Sequence, residues 1–310
     1  MPNVNLVVRT ATTFAPSGEF DAEAFAGYLQ RFISAGLVVY VASGGSGEGC
    51  ALTFDELRQV YQTAVAACRG QVTVAANIPD QVTALASIEH AKFAAGFGVD
   101  YVQIYGPGQA HGYKANSTEY LAYFDQVLSE VTTPVALSPN PTVCSAEPWV
   151  IAQIANKYSQ VIGVNLTGIY DDLYVINLCD RLERDVFVNA DWIGSLNTLG
   201  VGATGLHASQ ANFLPATFRR YLDAYNAGDM TELHRVYADL RRATQYINQW
   251  QAWSPRFHKM VMKAFRLPGA EGGVRPPFVA YDDAELERFV TGALELGIAE
   301  INDMARAAGR

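Results

Sequence analysis

Three kinds of side chain in this sequence have the chemistry to act on a small molecule. The first is a histidine, His207, in the run Gly205-Leu206-His207. A histidine there can give and take a proton near neutral pH, so His207 is a candidate general acid or base. A neutral histidine hydrogen-bonded inside a core is the alternative. The second kind is a set of neutral hydrogen-bond donors, Ser46, Ser138 and Asn165, which could surround a carbonyl or oxyanion. Asn165 could equally fill a polar position in a core. The third is Glu48, either an acid/base carboxylate or a brace for a loop or helix start. Tyr105, Asn140, Thr167 and Gln210 are candidate substrate contacts, with Thr12, Thr13, Asn77, His111, Tyr113 and Asp191 as further polar groups. His207, Asp191, Glu48 and His111 are possible metal ligands, but no spacing such as H-x-H joins them, so neither metal nor cofactor is expected.

These side chains must be held by folded elements, and the sequence supplies them in alternation. Short runs rich in β-branched and aromatic residues are separated by stretches of helical period. Strands are expected at 6–10, 37–42, 72–76, 101–105, 134–137, 161–166, 186–188 and 205–207. Leu37-Val38-Val39-Tyr40-Val41-Ala42 has no polar alternation, as in a sheet buried on both faces. Between the strands, Phe25, Leu29, Phe32 and Ile33 share one helix face, and Thr53-Phe54-Asp55-Glu56 is a capping-box pattern. Further helices are expected over 84–95, 118–131, 148–157 and about 171–182. Eight βα units predict a closed (β/α)8 TIM barrel over residues 1–222, with a helical carboxy-terminal extension over 223–310. An open doubly wound sheet is disfavoured because no G-x-G-x-x-G loop follows the first strand. The candidate residues then fall at the carboxyl ends of strands, where this fold keeps its active sites.

Composition narrows the class. Of 310 residues, 50% are hydrophobic and 17% charged, which describes a globular chain. The net charge of −9 argues against a nucleic-acid partner. No apolar run is long enough to span a membrane, and no leader-like segment opens the chain, so a cytoplasmic protein is expected. The four cysteines, Cys50, Cys68, Cys144 and Cys179, form no C-x-x-C pair and read as reduced, mostly buried thiols. Tyr246, Trp250, Trp253 and Phe257, at three-to-four residue spacing, read as core or subunit interface.

Several motifs resemble the dihydrodipicolinate synthase and N-acetylneuraminate lyase family. Gly44-Gly45-Ser46-Gly47-Glu48 with Leu52-Thr53 and Glu56 is similar to its G-T-T-G-E…L-[ST]-x-x-E. Gly202-Ala203-Thr204-Gly205 through Asn212 and Pro215 is similar to its eighth-strand segment, and Gly228-Asp229, Lys263 and Val274-Arg275-Pro276-Pro277 stand where carboxy-terminal motifs fall. The resemblance covers nearly the whole chain. It implies a (β/α)8 aldolase or dehydratase with a three-helix extension and a dimeric or tetrameric assembly. It also places Ser46 and Gly45 at a substrate carboxylate, with Ser46 keeping one of two threonine hydroxyls. Position by position, the family's chemical residues differ here. Its imine-forming lysine, in G-[IV]-K-x-x-[ST]-G, corresponds to Asn165 in Gly163-Val164-Asn165-Leu166-Thr167-Gly168. Its proton-relaying tyrosine corresponds to Ser138 in Ser138-Pro139-Asn140-Pro141, its carboxylate-binding arginine to Val143, and its T-P-Y-Y turn to Tyr105-Gly106-Pro107-Gly108. His207 takes a usually aliphatic place.

An amide nitrogen is not nucleophilic, so Asn165 cannot form an imine. The remaining lysines are Lys92 and Lys157 on outer helices, Lys114 in a loop, and Lys259 and Lys263 in the extension. None is expected on a strand that would bury and activate it. The expectation is a lyase-like protein acting on a small carbonyl or carboxylate compound without Schiff-base catalysis. The alternatives are a non-catalytic binding or scaffold protein, and a true dihydrodipicolinate synthase or pyruvate aldolase.

Overall fold

Strand and helix alternate throughout the computed structural model, which describes residues 3–108, 112, 114–141, 146–168 and 171–310. The strands β1 (Leu6–Arg9), β2 (Val38–Val41), β3 (Val74–Asn77), β4 (Tyr101–Tyr105), β5 (Val135–Ser138), β6 (Val161–Asn165), β7 (Phe187–Asp191) and β8 (Gly205–Ala208) join in that order into a closed barrel. The helices are α1 (Ala22–Ser34), α2 (Phe54–Cys68), α3 (Ala84–Ala95), α4 (Ser117–Glu130), α5 (Pro148–Lys157), α6 (Asp172–Cys179), the short α7 (Ser195–Thr198), α8 (Pro215–Ala227), α9 (Met230–Asn248), α10 (Pro255–Ala264), α11 (Asp283–Glu295) and α12 (Ala299–Ala307). This is the expected (β/α)8 barrel followed by helices. The capping box forms as read: Thr53 Oγ1 accepts from the Glu56 amide at 3.2 Å, and Glu56 Oε2 accepts from the Thr53 amide at 2.9 Å.

One helix is shorter than expected. α6 stops at Cys179 rather than Leu182 because Asn156 takes hold of the chain beyond it. Its Nδ2 donates to the Arg181 carbonyl at 2.8 Å and its Oδ1 accepts from the Glu183 amide at 3.0 Å. Those peptide groups are satisfied outside a helix.

Contacts gather the chain into two compact units, one of residues 1–7 with 74–208, the other of 8–73 with 209–310. In the first, β3 through β8 pair in parallel, with Gln103 beside Ala136, Tyr105 beside Ser138, Asn165 beside Asn189 and Asp191 beside His207. Side chains alternate faces along a strand. Tyr101, Gln103, Tyr105, Ser138, Gly163, Asn165, Phe187, Asn189, Asp191 and His207 therefore share one face. Gln103 and Asn165 bond to each other although β5 lies between their strands, so this face is the concave interior. At Gly163, a Cβ would overlap the Phe187 ring, which packs 5.7 Å from Tyr101 by ring centroids.

In the second unit, Asn212 holds the end of β1. Its Oδ1 accepts from the Ala11 amide at 2.9 Å and its Nδ2 donates to the Arg9 carbonyl at 2.7 Å. Phe213, Tyr246, Trp250, Phe257 and Phe265 surround Phe289 with ring centroids 5.7–6.1 Å away. The expected core role holds for Phe257; Tyr246 and Trp250 are half-buried at the edge of this cluster, and Trp253 is 65% exposed. The cysteine expectation is corrected as well. Of the described cysteines only Cys68 is buried; Cys50 is exposed and Cys179 half-buried, while Cys144 lies outside the described residues.

Candidate active site

The last residue of β6 joins three buried amides in series. Asn165 Nδ2 donates to Gln103 Oε1 at 2.5 Å, and Asn165 Oδ1 accepts from Asn189 Nδ2 at 2.8 Å. The Tyr101 phenol also bonds to Asn165, and burial pushes its pKa well above the usual tyrosine range, so it stays a neutral hydroxyl. Each amide sits inside the barrel at 7% exposure or less. Buried polar groups left without partners cost about 1–3 kcal/mol each, so the three amides need one another. Ser138 Oγ donates to the backbone carbonyl of Asn165 at 3.1 Å, fixing the ends of β5 and β6 together.

His207, on β8, and Asp191, at the end of β7, stand side by side on the same face. Both are buried, with Nδ1 3.9 Å from Asp191 Oδ2, longer than a hydrogen bond but an ion-pair distance once the imidazole is protonated. The other carboxylate oxygen, Oδ1, accepts from the Ile193 amide at 3.0 Å, so Asp191 is fixed as the cap that ends β7. A histidine with a buried carboxylate beside it can hold a proton gained from substrate.

A cavity of about 530 Å³ opens in the same unit, lined by Tyr120, Pro139, Pro141, Glu147, Gly168, Asp171 and Tyr174 among others. Pro139, Pro141 and Gly168 belong to the turns that follow β5 and β6, the strands ending in Ser138 and Asn165. The turn after β4 fits against α4 through Gly106, where a Cβ would overlap the Tyr120 ring. Tyr105 and Thr167 are buried at strand ends, and the Asn140 amide donates to the Ser138 carbonyl at 2.9 Å. His111, Tyr113 and Val143 lie outside the described residues.

The second unit holds Gly45, Ser46, Glu48 and Gln210. Ser46 is buried, and Gln210 Oε1 accepts from the Ser209 hydroxyl at 3.4 Å. The loop after β2 is tightly drawn: Thr12 Oγ1 donates to the Gly47 carbonyl at 2.6 Å, and a Cβ at Gly49 would overlap the Ala42 carbonyl. Glu48 sits between those glycines with φ 53°, a left-handed conformation that costs a non-glycine residue about 1 kcal/mol or more.

Glu48 meets a lysine in the helical extension whose burial differs from the expectation. Lys259, on α10, was expected to be unable to reach a buried, desolvated position because it is not on a strand. Instead its side chain is 5% exposed, with Nζ 3.2 Å from Glu48 Oε1 and 4.5 Å from the Phe14 ring centre, donating also to the Thr12 carbonyl. Burial drives the Lys259 pKa down and the Glu48 pKa up, each opposed by the other's charge. All residues from Phe257 to Met262 are buried, so this stretch of helix hides its lysine on every side. Gln103, Asn189 and Lys259 were not singled out from sequence. A lone polar residue inside an apolar strand run was the available signal for the first two. Among the described residues no three His, Cys, Asp or Glu side chains gather as a metal site would require, and no helix is long and apolar enough to cross a membrane.

Known proteins agree with this architecture. The model of the dihydrodipicolinate synthetase family matches residues 3–293. The chain is 27% identical over 225 residues to a 4-hydroxy-tetrahydrodipicolinate synthase of Xanthomonas campestris, covering 72% of this chain and 73% of that one. It is also 27% identical over 297 residues to a probable 5-dehydro-4-deoxyglucarate dehydratase of Azotobacter vinelandii, covering 92% and 93%. A prophage protein of the dihydrodipicolinic acid synthase family from E. coli K12, solved in complex with pyruvate, superposes with a TM-score of 0.82 at 20% identity, over 96% of this chain and all of the other. With the barrel closed, its helices following and the family model spanning nearly its full length, the chain belongs to the dihydrodipicolinate synthetase family.

Proposed function

We propose that this chain is a lyase of the family acting on a small carbonyl or carboxylate compound without an imine on β6. The observation that carries the reading is the amide series through Asn165. Its side chain is committed to Gln103 and Asn189 and has no nucleophilic atom to offer. His207, backed by Asp191, moves the proton that an enolate-like intermediate needs. Ser138 and the turn residues Asn140 and Thr167 hold the substrate's polar groups near the cavity beyond β5 and β6. The names of the relatives, a synthase and a dehydratase, favour an enzyme over a scaffold.

Incubation with pyruvate and cyanoborohydride, followed by intact-mass and peptide analysis, tests the absence of an imine. No lysine-borne adduct is expected, and a pyruvate adduct on any lysine overturns the reading. The acid/base role is tested by turnover in a screen of keto acids and hydroxy acids. His207→Ala should lower kcat by about 10²–10⁴-fold with little change in KM. A screen without turnover would instead support a non-catalytic binding protein, which the fully satisfied Asn165 also allows.

A further inference from the structure

The strand β1 ends in a cation that no acid answers. Arg9 is half-buried between Val8 and Thr10, which are fully buried. Every aspartate and glutamate of the chain lies among the described residues, and none of them pairs with Arg9. Its guanidinium makes one hydrogen bond, from Nη2 to Ser209 Oγ at 3.5 Å. Nε is enclosed without a partner, whereas Nη1 is unbonded and not enclosed. An arginine that snorkels to solvent keeps its head wet. One that braces the fold spends its donors on carbonyls, as Arg184 does with those of Ala155, Tyr158, Ser159 and Val161. Arg9 does neither. A partly buried charge without a counter-ion is costly, and an anion entering here would offset that cost.

The backbone around Arg9 is already set. Asn212 Nδ2 donates to the Arg9 and Ser209 carbonyls at 2.7 and 2.8 Å, holding the end of β1 beside the turn after β8. Ser209 Oγ in turn reaches Gln210 Oε1 at 3.4 Å, and the Gln210 amide nitrogen is unbonded and not enclosed. Both bonds at Ser209 are long, so the guanidinium and the amide can turn toward a ligand at little cost. Burial first, then the charges of Lys259 and Arg9, lower the pKa of His258, so the ionisable group that feels Arg9 is itself a base. We propose that Arg9, Ser209 and Gln210 form an oxyanion subsite that takes a carboxylate of the ligand, with Arg9 as the residue that selects charge. This rests on the reading that the chain acts on a small carbonyl or carboxylate compound, and narrows it to acids. Arg9 lies at the carboxyl end of β1, where this fold holds its ligands. One free arm of the guanidinium and one amide supply a donor for each carboxylate oxygen. A single positive charge balances a carboxylate, whereas the larger charge of a phosphate would be left partly uncompensated.

Isothermal titration calorimetry of the full chain tests this without turnover, with pyruvate, its neutral amide pyruvamide and inorganic phosphate as probes. Pyruvate should bind about tenfold or more tightly than pyruvamide, the scale of a charge-assisted hydrogen bond. Arg9→Gln should weaken pyruvate by about 10–100-fold and leave pyruvamide unchanged. Arg9→Lys, which keeps the charge and loses the fork, should fall between the two. The subsite is overturned if pyruvate and pyruvamide bind alike or not at all, or if phosphate binds more tightly than pyruvate. It is also overturned if Arg9→Gln leaves pyruvate binding intact, or lowers both probes together as a packing role would. Its failure is distinct from failure of the catalytic reading. Pyruvate binding that Arg9→Gln abolishes, in a chain without turnover, keeps the subsite and rejects the lyase. Turnover of an acid with KM unchanged in Arg9→Gln keeps the lyase and rejects the subsite.

Discussion

At the scale of a residue, His258 ties the stability of the fold to pH. It is fully buried on α10, and neither ring nitrogen has a hydrogen-bond partner among the described residues. Burial pushes its pKa down to about 3, with the positive charges of Lys259 and Arg9 acting in the same direction. Between about pH 6.5 and 3 the unfolded chain therefore binds a proton that the folded chain refuses. Stability rises with pH across that window and falls on acidification, by about 1.4 kcal/mol per pH unit from this group. His258→Leu should flatten that part of the profile in urea unfolding measured at a series of pH values. At pH 7 it should be neutral or stabilising, because it removes a buried donor and acceptor without orphaning a partner. A variant with the same acid slope as the parent would show that other groups set it.

At the scale of elements, the barrel was legible and its interior was not. Strand and helix follow from apolar period and from caps such as Thr53 with Glu56, which are local properties of the chain. Asn165 was legible through its motif, but its partners Gln103 and Asn189 lie on other strands, and only closure of the sheet brings them into reach. Lys259 was misjudged for a similar reason: a helix covered on every side can bury an amine as completely as a strand. Packing between strands also explains Gly163. A Cβ there would overlap the Phe187 ring, itself packed on Tyr101. Gly163→Ala should thus destabilise the protein by about 1–3 kcal/mol through overpacking. Phe187→Leu opens the space, so the double variant should lose less than the sum of the two single ones. The coupling, of order 1 kcal/mol in chemical denaturation, measures the contact. Strict additivity would mean that the ring is not what keeps position 163 a glycine.

At the scale of the whole molecule, the question of covalent chemistry reduces to five lysines, Lys92, Lys114, Lys157, Lys259 and Lys263. Lys92, Lys157 and Lys263 make ion pairs on the surface with side chains 52%, 53% and 53% exposed, and Lys114 is exposed in its loop. Such pairs are worth little and break readily, so these four amines stay open to reagents. Lys259 differs in kind, since at 5% exposure its amine is held by Glu48 and the Thr12 carbonyl behind covering side chains. Its burial favours the neutral, nucleophilic form, but a nucleophile reacts only when a carbonyl can reach it. Reductive methylation with formaldehyde separates these two properties, because formaldehyde is the smallest carbonyl probe. The native protein should take methyl groups on four lysines and the amino terminus, with Lys259 following only at the rate of local or global opening. Unfolding in urea should bring the fifth lysine into line with the others. If Lys259 is methylated in the native protein as fast as Lys92, its amine is within reach of small carbonyl compounds, and the case against an imine in this chain fails at Lys259 rather than at Asn165.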